Sequence, residues 1–507
     1  MTLDDGAVLA PAAVLTAALR RREISSRELL DLYLARVEAV NPALNAVVTL
    51  DVERARREAA EADRATAAGA RTGPLHGLPM TVKDTLETEG LRTTAGAAEL
   101  AEHVPARDAD SVALLRRAGA VVFGKTNTAT YASDAQTYNP VFGTTNNPWD
   151  TSRAPGGSSG GAAAALAAGL TSLELGGELS GSARYPAHCC GVFALRPSFG
   201  IVPMRGHIPR QPGSLKTNDM VTLAPLARSA ADLDLLLDVL ARPAADKAPA
   251  WRLDLPAPRA ESLGGLRVGL WLDDPLCPVD AEVGDVLAAA VDALKGTGVA
   301  RLADVTPVDR ATHDRLYERL LQGAVSLGLP APVYAANQAA AAALAPDDDS
   351  PRASFLRAAT LSHRDWLAAD EEREHQRARW AEVFDEFDVV LSPVAPVVAT
   401  PHDQRPDLSA RRITVNGAQR PYWDIIRWTS PATAAGLPAA SVPVGVARSG
   451  LPVGLQVVGP HLHDRTVTWF ARRVSELLGG FQAPPLRAAG NDGASPGSSR
   501  TEGADRA

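Results

Sequence analysis

Helical and strand-like periodicities alternate along this chain. Ser25 and Glu28 have capping-box spacing, and Leu29, Leu32, Tyr33, Val37 and Val40 then recur on one face, which predicts an amphipathic helix packed on a core. From Gly73 the texture changes to short apolar runs punctuated by glycine and proline, such as Leu78-Pro79-Met80-Thr81-Val82 and Ala120-Val121-Val122-Phe123, with helix-like stretches between them. That alternation predicts an α/β sheet. Residues 162–168 are alanines around a single leucine, a strong helix former closed by Gly169. From about residue 241 to 387 the chain becomes more helical and more charged, and 362–387 has the pattern of one long amphipathic helix, so this stretch is expected to form helical cover. Strand patterns return at Val389-Val390-Leu391, Ser441-Val442-Pro443-Val444 and Leu455-Gln456-Val457-Val458. Both halves of the chain should therefore contribute to the sheet. Residues 485–507, rich in Gly, Ser, Ala and charge with almost no large apolar side chain, are expected to be a disordered tail.

Composition narrows the function classes. At 507 residues, with 46% hydrophobic and 22% charged positions, the chain matches an average globular protein with a large core. A net charge of −8 without a long basic run lacks the electrostatic footprint of nucleic-acid binding, and no apolar stretch approaches the ~20 residues of a membrane span. Neither nucleic acid nor membrane is an expected partner. Cys189, Cys190 and Cys277 have neither zinc-ligand spacing nor the even count of a disulfide framework, which favours a reducing compartment. Asp4 and Asp5 stand where a signal peptide would carry positive charge, so the expected location is the cytoplasm.

Three segments bring chemistry. Gly156-Gly157-Ser158-Ser159-Gly160-Gly161 sets two serines between paired glycines just ahead of the alanine-rich helix. A flexible linker would have polar flanks, and a phosphate-binding loop would end in Gly-Lys-Ser/Thr; this segment has neither. Leu175-Gly176-Gly177-Glu178-Leu179-Ser180-Gly181-Ser182 is a second small-residue turn, placing a serine among backbone amides of the kind that stabilise an oxyanion. In Gly77-Leu78-Pro79-Met80-Thr81-Val82-Lys83-Asp84 a lysine ends an apolar strand. A strand-end lysine is usually a solvated edge charge. The chain has only five lysines, however, which makes one kept here a better candidate for proton transfer.

Taken together, Pro79-Met80-Thr81-Val82-Lys83-Asp84, the Gly-Gly-Ser-Ser-Gly-Gly loop, and Gly181-Ser182-Ala183-Arg184-Tyr185-Pro186-Ala187 followed by Cys190-Gly191 resemble the amidase signature family. Similar texture extends from about residue 10 to 480, including Phe123-Gly124-Lys125-Thr126-Asn127. The resemblance implies one α/β domain over residues 1–484 with a mixed sheet of about ten strands flanked by helices. It makes Ser182 the nucleophile, Ser158 the bridging hydroxyl in a cis peptide, and Lys83 the base. Backbone amides of Leu179, Ser180 and Gly181, with that of Ser182, would hold the oxyanion, and Asp134, Gln136 and Tyr138 would line the substrate pocket. The chemistry it implies is hydrolysis of a small acyl or aryl amide through an acyl-serine, extending to carbamates or anilides, with no metal or organic cofactor. A small-molecule amide is the expected partner, with a homodimer allowed. At the reference pKa only about one lysine in 2,500 is neutral at pH 7, so a basic Lys83 must be desolvated.

Two positions depart from the family pattern: Glu178 replaces an aspartate and Ser180 a glycine. Lys125 rivals Lys83 and is assigned a structural role. His188, His461 and His463 lack metalloprotease spacing and are assigned core or solvent roles. The competing readings are the amidase subunit of a glutamyl-tRNA amidotransferase-like complex and an inactive amide-binding scaffold.

Overall fold

The computed structural model describes residues 5–208 and 211–486. The first long helix, α1 (Ser26–Leu44), starts at the Ser25 capping box and buries Leu29, Tyr33, Val37 and Val40 as expected. Three strands follow: β1 (Val47–Leu50), β2 (Pro79–Lys83) and β3 (Val121–Thr126), paired in the order β1-β3-β2. Every residue of β2 and β3 is buried, as an apolar run covered on both faces requires.

A larger mixed sheet takes its strands from both halves of the chain. It contains β4 (Glu174–Glu178), β5 (Phe193–Arg196), β6 (Thr222–Ala227), β7 (Arg267–Leu270), β8 (Arg301–Asp304), β9 (Val389–Pro393), β10 (Ala439–Val446) and β11 (Pro452–Val458). Their order is β8-β7-β9-β11-β10-β5-β6-β4. The β8, β7 and β9 pairings are parallel and the rest antiparallel. The mixed α/β sheet is thus as anticipated, with eight strands in one sheet and β2 of the small sheet lying against β4 at its edge.

Helix α2 (Gly160–Ala167) is apolar all round and correspondingly buried all round. Helix α3 (Arg184–Cys190), wholly buried, packs on α2 and on β5, β10 and β11, and it absorbs Cys189 and Cys190 as small core residues. Expected helical cover over 241–387 needs correction. Residues 267–304 form a β7, α4 (Ala281–Lys295), β8 unit within the main sheet, and the cover proper runs from α5 (Arg310–Ser326) to α6 (His363–Glu386). The four-residue edge strand β8 is polar and mostly solvent-facing, so it carries no apolar run to read. No helix among the described residues is long and apolar enough to cross a membrane. The expected disordered tail begins too early at 485, because Leu486 packs against the core; the rest of it lies outside the described residues.

Candidate active site

Strand β2 ends by driving Lys83 into the interior. With no exposed surface, its Nζ donates to Ser158 Oγ at 2.6 Å and to Ser159 Oγ at 2.9 Å. Burial pushes the ammonium down to about 7, against the pull of Glu178 and Glu174 in the opposite direction. The Gly157-Ser158 peptide is cis. Gly157 is required to be glycine: a Cβ there would stand 2.5 Å from the Gln136 backbone nitrogen. The Ser158 loop and the Ser182 turn are joined through the Ser159 N–H, which donates to the Ser182 carbonyl at 3.0 Å.

The turn after β4 is organised by its own glutamate. The buried Glu178 carboxylate accepts from the N–H groups of Gly181, Ala183 (2.7 Å) and Arg184 (3.2 Å), and pairs with the Arg184 guanidinium at 2.8 Å. Burial works to raise its pKa, but Arg184, Arg196 and the donated hydrogen bonds outweigh it and hold the group below the ordinary carboxylate range. The longer glutamate therefore still braces the turn. It also corrects the expected oxyanion set, because the Gly181 N–H is already committed to Glu178. The N–H groups of Ser180 and Ser182 have no partner among the described residues. Ser180 stays out of the left-handed region, where only Gly181 of this turn lies (φ 101°), so its Cβ is tolerated. Its hydroxyl meets Tyr317 Oη of α5 at 2.6 Å, and Thr429 Oγ1 donates to its carbonyl at 3.0 Å.

Ser182 is half-buried and, with Gly157 and Ser180, lines a cavity of about 540 Å³. Its hydroxyl has no hydrogen bond among the described residues. The opposite lining comes from α5 and from the segment around Trp423, Ile426 and Arg427. A larger cavity of about 790 Å³, bordered by Arg377, His461 and His463, contains neither serine. Of the three expected substrate residues only Asp134 lines the 540 Å³ cavity. Gln136 instead clasps the Asp403 backbone, its Nε2 donating to the carbonyl at 2.8 Å and its Oε1 accepting the N–H at 2.9 Å. Tyr138 accepts from Arg411, whose guanidinium also holds Asp134 at 2.7 Å. Gln136 and Tyr138 are thus corrected to braces of this wall, turned away by the partners they bind.

The Amidase family model matches residues 28–468 of this sequence. The chain belongs to the amidase family. It is 33% identical over 474 residues, 89% of its length and 92% of the relative's, to a glutamyl-tRNA(Gln) amidotransferase subunit of Roseiflexus sp. (strain RS-1). It is 32% identical over 448 residues to the indoleacetamide hydrolase of Bradyrhizobium diazoefficiens, covering 87% of this chain and 81% of that one. A crystal structure of an amidase superposes with a TM-score of 0.75 at 28% identity, covering 92% of this chain and all (100%) of the other. This amidase is accordingly a carbon–nitrogen hydrolase.

Lys125, Glu174 and His188 are buried with partners other than Ser158, Ser159 and Ser182. Lys125 donates to the Leu86 carbonyl and to Thr88 Oγ1 at 2.9 Å, away from both loop serines, and burial lowers it to about 8. Glu174, pushed up to about 8 by burial, accepts from Thr81 and from Thr126 at 3.3 Å. His188, lowered to about 4 by burial, is a neutral core group: Nδ1 accepts from Gly454 N–H and Nε2 faces the Val397 carbonyl, each at 3.0 Å. Sequence reasoning missed Ser159 and Tyr317. The first was visible as the second hydroxyl of the Ser-Ser pair. The second had no local signal, because α5 reaches the turn across 137 positions of chain.

Proposed function

We propose that this amidase hydrolyses small acyl or aryl amides, with carbamates or anilides as further substrates, using Lys83, Ser158 and Ser182 as one proton-transfer unit. The observation that carries the reading is the buried Lys83 amine, lowered to about 7, in direct hydrogen bond with Ser158 beside the Ser182-lined cavity. Neutral Lys83 takes the Ser158 proton as Ser158 takes that of Ser182, and Ser182 Oγ attacks the amide carbonyl. Ser159 accepts one amine hydrogen, which orients the lysine lone pair. The Ser180 and Ser182 N–H groups, with that of Leu179, receive the oxyanion. The C–N bond then breaks, the proton returns through Ser158 to the leaving amine, and acyl-Ser182 remains. Water repeats the cycle and releases the acid.

The test is turnover and intact-mass detection of the acyl adduct on a panel of aliphatic, aryl and carbamate substrates. Because the base works deprotonated, kcat/KM should rise with pH through about 7 and level off above it. An adduct formed at the wild-type rate by Ser182→Ala would assign the nucleophile elsewhere. A second reading, the amidase component of an amidotransferase, is favoured by the 33% identity to one subunit of such an enzyme. Hydrolysis of simple amides by the purified chain alone supports the first reading; activity that needs added subunits supports the second.

A further inference from the structure

The acidic side chains lining the Ser182 cavity are answered by arginines, with one exception. Asp134 pairs with Arg411 at 2.7 Å, Asp424 with Arg420 at 2.6 Å, and Asp314 with Arg427. Glu318 lines the same cavity with no ion-pair or hydrogen-bond partner among the described residues. The nearest arginines of its own helix are turned elsewhere: Arg315 donates to Thr312 at 3.2 Å and Arg319 pairs with Glu372.

A glutamate on a helix surface is ordinarily solvated, and then burial leaves its pKa alone. Here burial is the sole cause acting on Glu318, and it raises the carboxyl. Leu321, Val325, Ile426 and the Trp423 indole share the cavity lining. A half-buried carboxylate beside such apolar side chains lacks the counter-charge that the other three acids possess. An ammonium would supply it. A carboxylate-bearing substrate would meet repulsion there.

We propose that Glu318 is a specificity determinant which selects amides carrying a protonated amino group in the acyl portion. The proposal rests on the cavity being the substrate site. It predicts that 5-aminopentanamide is preferred over the neutral, near-isosteric hexanamide by about tenfold or more, the scale of one charge-assisted hydrogen bond.

Calorimetric binding of both amides to the Ser182→Ala protein measures recognition without turnover, and kcat/KM on the wild-type enzyme measures it with turnover. Glu318→Gln should remove the preference in both assays. Glu318→Lys should turn it toward glutaric acid monoamide. Melting temperatures close to wild type would confirm that the variants fold. Equal affinity of the cavity for the two amides would overturn the proposal without recourse to any Glu318 variant, as would a preference that survives in Glu318→Gln. Absent turnover with intact amine-selective binding would sink the hydrolytic reading and leave Glu318 standing. Turnover of both amides with no preference would do the reverse.

Discussion

The floor and the wall of the Ser182 cavity follow different rules. In the floor, the packed layer that holds the Ser158 loop and the Ser182 turn, Lys83, Glu178, Arg184 and Arg196 are all fully buried, and each has a specific partner. Glycines bring the backbones together, as at Gly157 against Gln136. In the wall, α5 presents Glu318, which has no ion-pair or hydrogen-bond partner among the described residues. Burial explains the contrast. A charge removed from water must be paired or neutralised, so the floor tolerates few alternatives. Wall side chains such as Glu318, Leu321 and Trp423 keep partial access to solvent and can change without unbalancing the core. The proposed function accordingly lodges proton transfer in the floor and substrate choice in the wall.

Substitutions should divide along the same line, with the largest losses in the floor. Lys83→Ala and Ser158→Ala should each lower kcat/KM by about 10³-fold or more, and the double variant should be little worse than the worse single one, since the groups act as a unit. Steady-state kinetics on one chromogenic amide measures all three; additive losses would separate the two residues. Next comes Glu178→Ala, which strands buried Arg184 and frees three N–H groups. Urea unfolding should show about 3–5 kcal/mol of lost stability.

A smaller effect is expected where the wall touches the floor. Tyr317→Phe removes the hydroxyl that meets Ser180 Oγ at 2.6 Å, a net loss of about 0.5–1.5 kcal/mol. If Tyr317 positions the oxyanion turn, the loss should fall on kcat and leave KM near the wild-type value. A change in melting temperature alone would reduce the contact to a packing role. Smallest of all is truncation after residue 486, which spares the core contact of Leu486: the sequence beyond it has no large apolar side chain, and both turnover and melting temperature should match the full chain. Loss of soluble protein on truncation would show that the tail is integral.

Local signals sufficed wherever neighbouring residues carry the physics. The capping box of Ser25 and Glu28, the buried run of β2 and the alanine helix could all be read from adjacent positions, because propensity, periodicity and turn chemistry act over a few residues; the roles of the three chemistry-bearing segments came from their resemblance to a family. The short strands β7 and β8 were missed although β7 lies in an apolar run with one charge, Arg267; each is only four residues long, and pairing with distant partners makes them strands. Likewise, the fate of the Gly181 N–H, the inward clasp of Gln136 and the meeting of Ser180 with Tyr317 depended on groups brought close only by the folded chain. The serines and the lysine were thus singled out in the sequence by resemblance to a family. Burial of Lys83, which lowers its amine to about 7, was decided by tertiary structure, because desolvation belongs to the packed interior and to no segment alone.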